Sequence, residues 1–204
     1  DHENNILIPG RLKPHSKLVN LYQHPIKNFR DDAIVKINSD GKILYKKSVI
    51  EILIENKIGD MINKLKKTVS DPIHLNCIEP ALSDTEHWKK GDVFLSLKHH
   101  SAIVLYRPST NKVIDYITGP FAHQHDVDIV SKNEISIFNN NNFFIDNKYS
   151  EVLIYNFKTK KFKKIFNDQL VKENFKTYSS GMSQILNDGA LMVEEENHGR
   201  IILF

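Results

Sequence analysis

An all-β chain folded as a sector of a β-propeller is what the sequence predicts. Three features carry the prediction: short apolar runs that recur along the chain, a near-constant spacing between them, and a turn followed by a further strand after three of them. The runs begin at Ile34, Ile103, Val152 and Ile201. The interval is 49 positions from 103 to 152 and again from 152 to 201. It is 69 from 34 to 103, so about twenty residues are inserted there. Strands at such spacing suit a sandwich, a barrel or a propeller, and a fixed period favours the propeller, where each unit is one four-stranded blade.

Each element follows from its local pattern. NSDG precedes KILYKK, PSTN precedes KVIDYI and FKTK precedes KFKKIF, and each pair reads as a hairpin. Each recurring run is itself preceded by an apolar stretch: NNILIPG, DVFLSLK, EISIFNN and ALMVEEE. One more segment lies upstream of the last three, HLNCIEP, HDVDIV and MSQIL. The expected organisation is one partial propeller domain. It comprises a partial blade over 1–48 lacking its first strand, a helical insertion over 49–70, blades over 71–118 and 119–167, and a partial blade over 168–204 lacking its last strand. In the insertion, Ile50, Leu53, Ile54, Ile58, Met61, Ile62 and Leu65 follow helical spacing, which predicts a helix on one face of the ring. The chain opens without Met and stops at GRIILF, a strand pattern with no closing turn. Material missing from both ends is therefore expected.

Composition narrows the function. The 204 residues are 40% hydrophobic and 26% charged, as in an ordinary globular protein. Twenty-eight basic residues face 25 acidic ones with no basic arm, which argues against a nucleic-acid partner. No apolar run is long enough to cross a bilayer. The lone Cys77 excludes an intramolecular disulfide framework and a multi-cysteine zinc site, and reads as a small buried hydrophobe.

The stretch FAHQHDVDIV, from Phe121 to Val130, places two imidazoles and two carboxylates on one short segment. Metal ligands, catalytic groups and a polar strand end are all open readings. Strand alternation puts His123, His125, Val127 and Ile129 on one face, and His74, Asn76 and Ile78 on one face of the preceding blade. His74 and His125 then stand at equivalent places in the repeat, with Gly181 or a neighbour at that place in the next. Both imidazoles would point into the central channel. Asp126 and Asp128 are expected to pair with neighbouring blades or turn amides, and Asn139 to Asn142 reads as a polar turn.

The segments DPIHLN, GDVFLSLKHHSAIVLYRPSTNKVI, GPFAHQHDVDI with ISIFNN, and ENHGRIILF resemble the arylsulfotransferase family over roughly Asp71 to Phe204. The resemblance implies a six-bladed propeller working in the periplasm or outside the cell. It implies transfer of a sulfuryl group from a phenolic sulfate ester to a phenol through a sulfated histidine, with no nucleotide sulfate donor and no cofactor. The small-molecule aryl sulfate and phenol are the partners, with a homodimer as a possible assembly. Gln124-His125 matches the nucleophilic histidine and His74 a second sulfate-contacting one. Asn76 and His99 stand as further substrate contacts. Where the family has arginine, in Ser-Ser-Arg-His, this chain has Lys98, a point charge in place of a planar two-pronged donor. A further family histidine belongs to an earlier blade, and His2 does not take its place.

Two other classes compete with this reading. One is a metal site formed by His123, His125 and Asp126 with His99 or His100, although no ligand spacing here is that of a recognised motif. The other is a non-catalytic propeller that serves as a binding scaffold.

Overall fold

The structure is a computed structural model, and it describes residues 1–22, 28–58, 70–141 and 149–204. Among the described residues, fourteen strands form four antiparallel sheets, each built from consecutive strands. The first sheet contains β1 (Ile6–Arg11), β2 (Asp32–Ile37) and β3 (Ile43–Ser48). The second contains β4 (Leu75–Pro80), β5 (Val93–Leu97), β6 (Ala102–Arg107) and β7 (Lys112–Ile117). The third contains β8 (Val127–Ser131), β9 (Glu134–Asn139), β10 (Glu151–Asn156) and β11 (Lys161–Ile165). The fourth contains β12 (Ser183–Ile185), β13 (Leu191–Glu195) and β14 (Arg200–Leu203).

The pleat explains why the middle strands are almost continuously apolar. Successive residues of β6 enter different cores: Ile103 and Leu105 pack towards the third sheet, Val104 and Tyr106 towards the first. Phe94 and Leu95 of β5 divide in the same way. In the third sheet, Leu153 and Tyr155 pack towards the second sheet, while Phe138 and Val152 join Leu191 and Val193 of the fourth. The second and third sheets are therefore sandwiched between their neighbours, while the first and fourth each pack against one, and the strands β4 and β8 meet at the axis, with β1 against β4. Consecutive sheets stacked face to face, with strands gathered at a common axis, form a propeller sector. Trp88, almost wholly buried against Phe94 and Phe157, anchors the second core. Burying a side chain of this kind contributes about 1.5–3 kcal/mol.

Outer hairpins close with residues suited to their turns. Asn111 has φ +53, and Asn38 accepts from the backbone N–H groups of Asp40 and Lys42.

Helices occupy the connections. α1 is Lys17–Tyr22, α2 is Val49–Glu55 and α3 is Asn167–Lys172; the first and third were not expected from the sequence. Ser48 caps α2 by accepting from the backbone N–H of Glu51. The described helix of the insertion, Val49–Glu55, packs between sheets rather than over a face of the ring. Val49, Ile50, Ile52 and Leu53 are buried in the core between the first and second sheets, because its apolar stripe is the surface that fills that wedge. Asn56 ends it, donating to Asn111 O and accepting from Val113 N on the second sheet. Met61, Ile62 and Leu65, assigned to this helix from sequence, lie outside the described residues. Among those residues no helix is long and apolar enough to cross a membrane.

Candidate functional site

The site lies where the chain enters the axial strands. His74 precedes β4 and has φ +54; His123, before β8, also has φ +54; Gly181, before β12, has φ +99. A left-handed residue thus turns the chain into the first strand of each of these three sheets. The backbone pairing agrees. Ile73 O accepts from His99 N, and Ala122 O, 49 positions on, accepts from Asn141 N. His74 is therefore the structural counterpart of His123, and Asn76 that of His125. The sequence-based register, which paired His74 with His125, is off by two residues. Strand alternation cannot be extended through a left-handed residue, which reverses the direction in which the following side chains point.

The consequence is two neighbouring groups of side chains. His125 lines an axial cavity of about 460 Å³, with Leu7, Asn76, Cys77, Asp126 and Gly181 among its walls. His74 is not part of that wall. Its ring lies 4.7 Å from that of His99, which lies 5.8 Å from that of His123. His74 and His99 sit together because Lys98 N and His99 N donate to the backbone oxygens of His74 and Ile73. Lys98, in the short helical turn Lys98–His100, is buried and extends Nζ to Ser179 O at 3.4 Å. His100 turns away, its Nδ1 meeting Tyr116 Oη at 3.3 Å.

Burial and Lys98 together govern protonation. Burial pushes His125 down to about 4, helped by the charges of Lys98 and His74. His74 and His123 are lowered too, mainly by burial. Lys98 is itself lowered by burial, against the attraction of Asp71. His125 is accordingly a neutral imidazole near pH 7, with a lone pair available.

Two contributors were not found from the sequence. Asp71 Oδ2 lies 2.7 Å from His74 Nδ1 and accepts from Arg30 Nη1 at 2.7 Å. The Asp-x-x-His spacing in DPIH is a local signal that could have exposed the first contact. The second joins residues 41 positions apart and has no local signal.

Asn76 donates through its amide nitrogen to Gln124 O at 3.0 Å, and its Oδ1 is buried without a hydrogen-bond partner among the described residues. Gln124, fully buried, donates to Ser96 Oγ and Ala102 O, which ties the third sheet to the second. Asp126 accepts from Ser183 N and from the Cys77 thiol. Cys77 is half-buried and polar in its contacts, and burial pushes its thiol up. Asp128 is pushed up to about 7, first by burial and then by repulsion from Asp126 and Glu79. Asn139, Asn140 and Asn141 are buried rather than a surface turn. Asn140 donates to Thr177 O and Ser180 O, and Asn139 Oδ1 accepts from Ala122 N, so they brace the loops around the site. Asn142 lies outside the described residues.

The metal set weighed from sequence is not assembled, since His125 faces the cavity and His100 turns to Tyr116. Among the described residues, Asp71, His74 and His99 are the group whose ligand atoms lie within 4.8 Å of one another. Oδ2 of its carboxylate is engaged by Arg30 and His74, while Oδ1 is buried without a hydrogen-bond partner among the described residues, and the Arg30–Asp71–His74 contacts read as a hydrogen-bonded relay.

Fold and site together define a propeller protein whose chemistry-bearing side chains collect at one end of its axis. The family model for arylsulfotransferase (ASST) matches residues 2–204, and the chain belongs to that family. No match was found among curated proteins. Among solved structures it is similar to two forms of virginiamycin B lyase from Staphylococcus aureus. One is a catalytically inactive variant with quinupristin, 13% identical with a TM-score of 0.42, covering 84% of this chain and 48% of that one. The other is selenomethionine-substituted, 14% identical with a TM-score of 0.42, covering 98% and 59%. A streptogramin B lyase is 12% identical with a TM-score of 0.37, covering 99% and 73%. The chain spans about half the length of the virginiamycin B lyases it matches.

Proposed function

We propose that the protein is an aryl-sulfate sulfotransferase in which His125 carries the sulfuryl group. The observation that carries this reading is a neutral, largely buried imidazole lining the axial cavity, within the field of Lys98 and His74. A lone pair of the His125 ring attacks sulfur; the N–S bond forms as the S–O bond to the donor's phenolic oxygen breaks, and that oxygen leaves with the electron pair. A protonated His74 returns a proton to the departing phenolate. Lys98 compensates charge on the sulfuryl oxygens, and Asn76 and His99 supply further polar contacts. The acceptor phenol then attacks sulfur, the N–S bond breaks, and the phenolic proton passes to the now neutral His74. Membership of the arylsulfotransferase family supports this assignment.

The test is donor turnover by the protein expressed from its full reading frame, supplied with an aryl sulfate and a phenol. Rapid quenching should trap a sulfuryl group on the peptide that carries His125. His125→Ala should lose both the adduct and transfer. Undiminished transfer by His125→Ala would remove the covalent role.

A further inference from the structure

We propose that Asp71, anchored by Arg30, is the positioning residue that holds His74 as its Nδ1–H tautomer and so reserves Nε2 for the transferring group. The inference rests on the sulfotransferase reading above and concerns the state in which that site keeps one of its members.

The hydrogen-bond partners are informative because they only accept. An ionised carboxylate offers no proton, so the 2.7 Å contact between His74 Nδ1 and Asp71 Oδ2 requires the proton on Nδ1. The same residue orients the adjacent ring. His99 Nδ1 lies 2.7 Å from the main-chain oxygen of Asp71, and a carbonyl likewise only accepts. One residue thus sets the tautomers of two adjacent imidazoles, tilted 52° to one another, one through its side chain and the other through its backbone.

Asp71 is in turn held from outside its own sheet. Arg30 Nη1 donates to Asp71 Oδ2 at 2.7 Å, and Arg30 N donates to Ser70 O at 2.7 Å. The guanidinium also lies 3.9 Å from Asp32, whose Oδ2 accepts from Leu75 N, the residue after His74. The first sheet therefore reaches the site through Arg30 and Asp32, although neither belongs to the histidine cluster. Such a partner supplies orientation and a protonation state rather than contact with substrate, as the buried aspartate does for the histidine of a catalytic triad.

The groups around His74 oppose one another. Burial, Lys98 and His99 favour the neutral ring, whereas the Asp71 carboxylate favours the cation. His123 and His125 stand beyond and are sensitive to His74 in turn. Without Asp71, His74 would lose both its fixed tautomer and the one neighbouring charge that keeps it able to act as an acid.

The experiment uses isotopically labelled histidine to follow the tautomer and titration of His74, alongside steady-state transfer of an aryl sulfate. Asp71→Asn keeps the size and removes the charge. It should convert His74 to a mixed or Nε2–H tautomer, lower its titration midpoint further, and cut kcat by about tenfold or more with a smaller change in KM. It should also narrow the pH profile on the alkaline side, because His74 would lose its proton earlier. Arg30→Gln should shift His74 in the same direction by less, and Asp71→Glu should recover part of the activity. If Asp71→Asn is too unstable to study, Arg30→Gln reports the same tautomer. An unchanged His74 tautomer and midpoint in both folded variants would overturn the proposal. The spectroscopic result is separable from the functional reading. A protein inert towards aryl sulfates, with the His74 shift present, would fail the sulfotransferase assignment and leave the positioning role standing.

Discussion

Lys98 Nζ of the second sheet donates to Ser179 O at 3.4 Å, joining positions 81 apart and placing a buried cation at the axial end of the sector. The contact is to a neutral carbonyl, Asp71 attracts the ammonium from a distance, and its charge acts on His74, His123 and His125.

Lys98→Ala is accordingly expected to slow sulfuryl transfer without abolishing it. The lost charge-assisted contact is worth about 1.5–3 kcal/mol, or roughly ten- to a hundredfold in rate. Lys98→Arg should restore or raise activity, because a planar guanidinium presents paired donors to an oxyanion. Initial rates at saturating acceptor measure both. A Lys98→Ala protein as fast as wild type would exclude Lys98 from the site.

Stability should depend on pH through two opposed groups. His125 titrates at about 4 when folded, below its ordinary 6.5, so its contribution is fully present above about 6.5 and is lost as pH falls towards 4. Asp128 is raised from 3.8 to about 7, first by burial and then by Asp126 and Glu79, so its contribution is present below about 3.8 and is lost as pH rises through 7. Asp128→Asn should therefore stabilise the protein near about pH 8 by roughly 1–2 kcal/mol, discounted for partial exposure, and change little near about pH 4. Denaturant midpoints across this range provide the comparison. Equal midpoints for the two proteins at both ends would contradict the assignment.

Gly181 occupies a constrained place. Its φ is +99, and a Cβ there would lie 2.9 Å from Glu194 O and from Thr177 Cγ2, and 3.0 Å from Phe138 Cε1. Gly181→Ala should cost about 1–3 kcal/mol through strain and overpacking. Because Gly181 lines the same cavity as His125 and its backbone bears on the protonation of that ring, the substitution should also disturb the His125 titration. Thermal unfolding together with the His125 midpoint tests both effects. A variant as stable as wild type would show that the strand entry can relax.

Much of the fold could be read from the chain alone. Valine- and isoleucine-rich runs at a 49-residue interval, with turn residues between them, specify strands, hairpins and their order, because these depend on local backbone preference and short connections. The nature of the candidate residues was legible as well, in DPIH, LKHHS and HQHD. Their arrangement was not. The 49-position interval itself pairs His74 with His123 rather than with His125; what the positive φ at both positions decides is the direction of the side chains that follow, and it comes from the way the chain is turned into the axial strands. Helix α2 was visible in its apolar spacing, but its place in the wedge between the first two sheets depends on the cavity they leave.

By itself, then, the sequence determined the all-β repeat, the blade order and the residue types that cluster at the axis. Only the tertiary structure decided which imidazole enters the cavity, which lies against His99 outside it, and that Arg30 holds Asp71 against His74. The physical reason is range. Strand and turn formation are governed by neighbours along the chain, whereas side-chain direction at a left-handed residue, burial-driven protonation and an ion pair between positions 41 apart exist only once separate sheets have packed together.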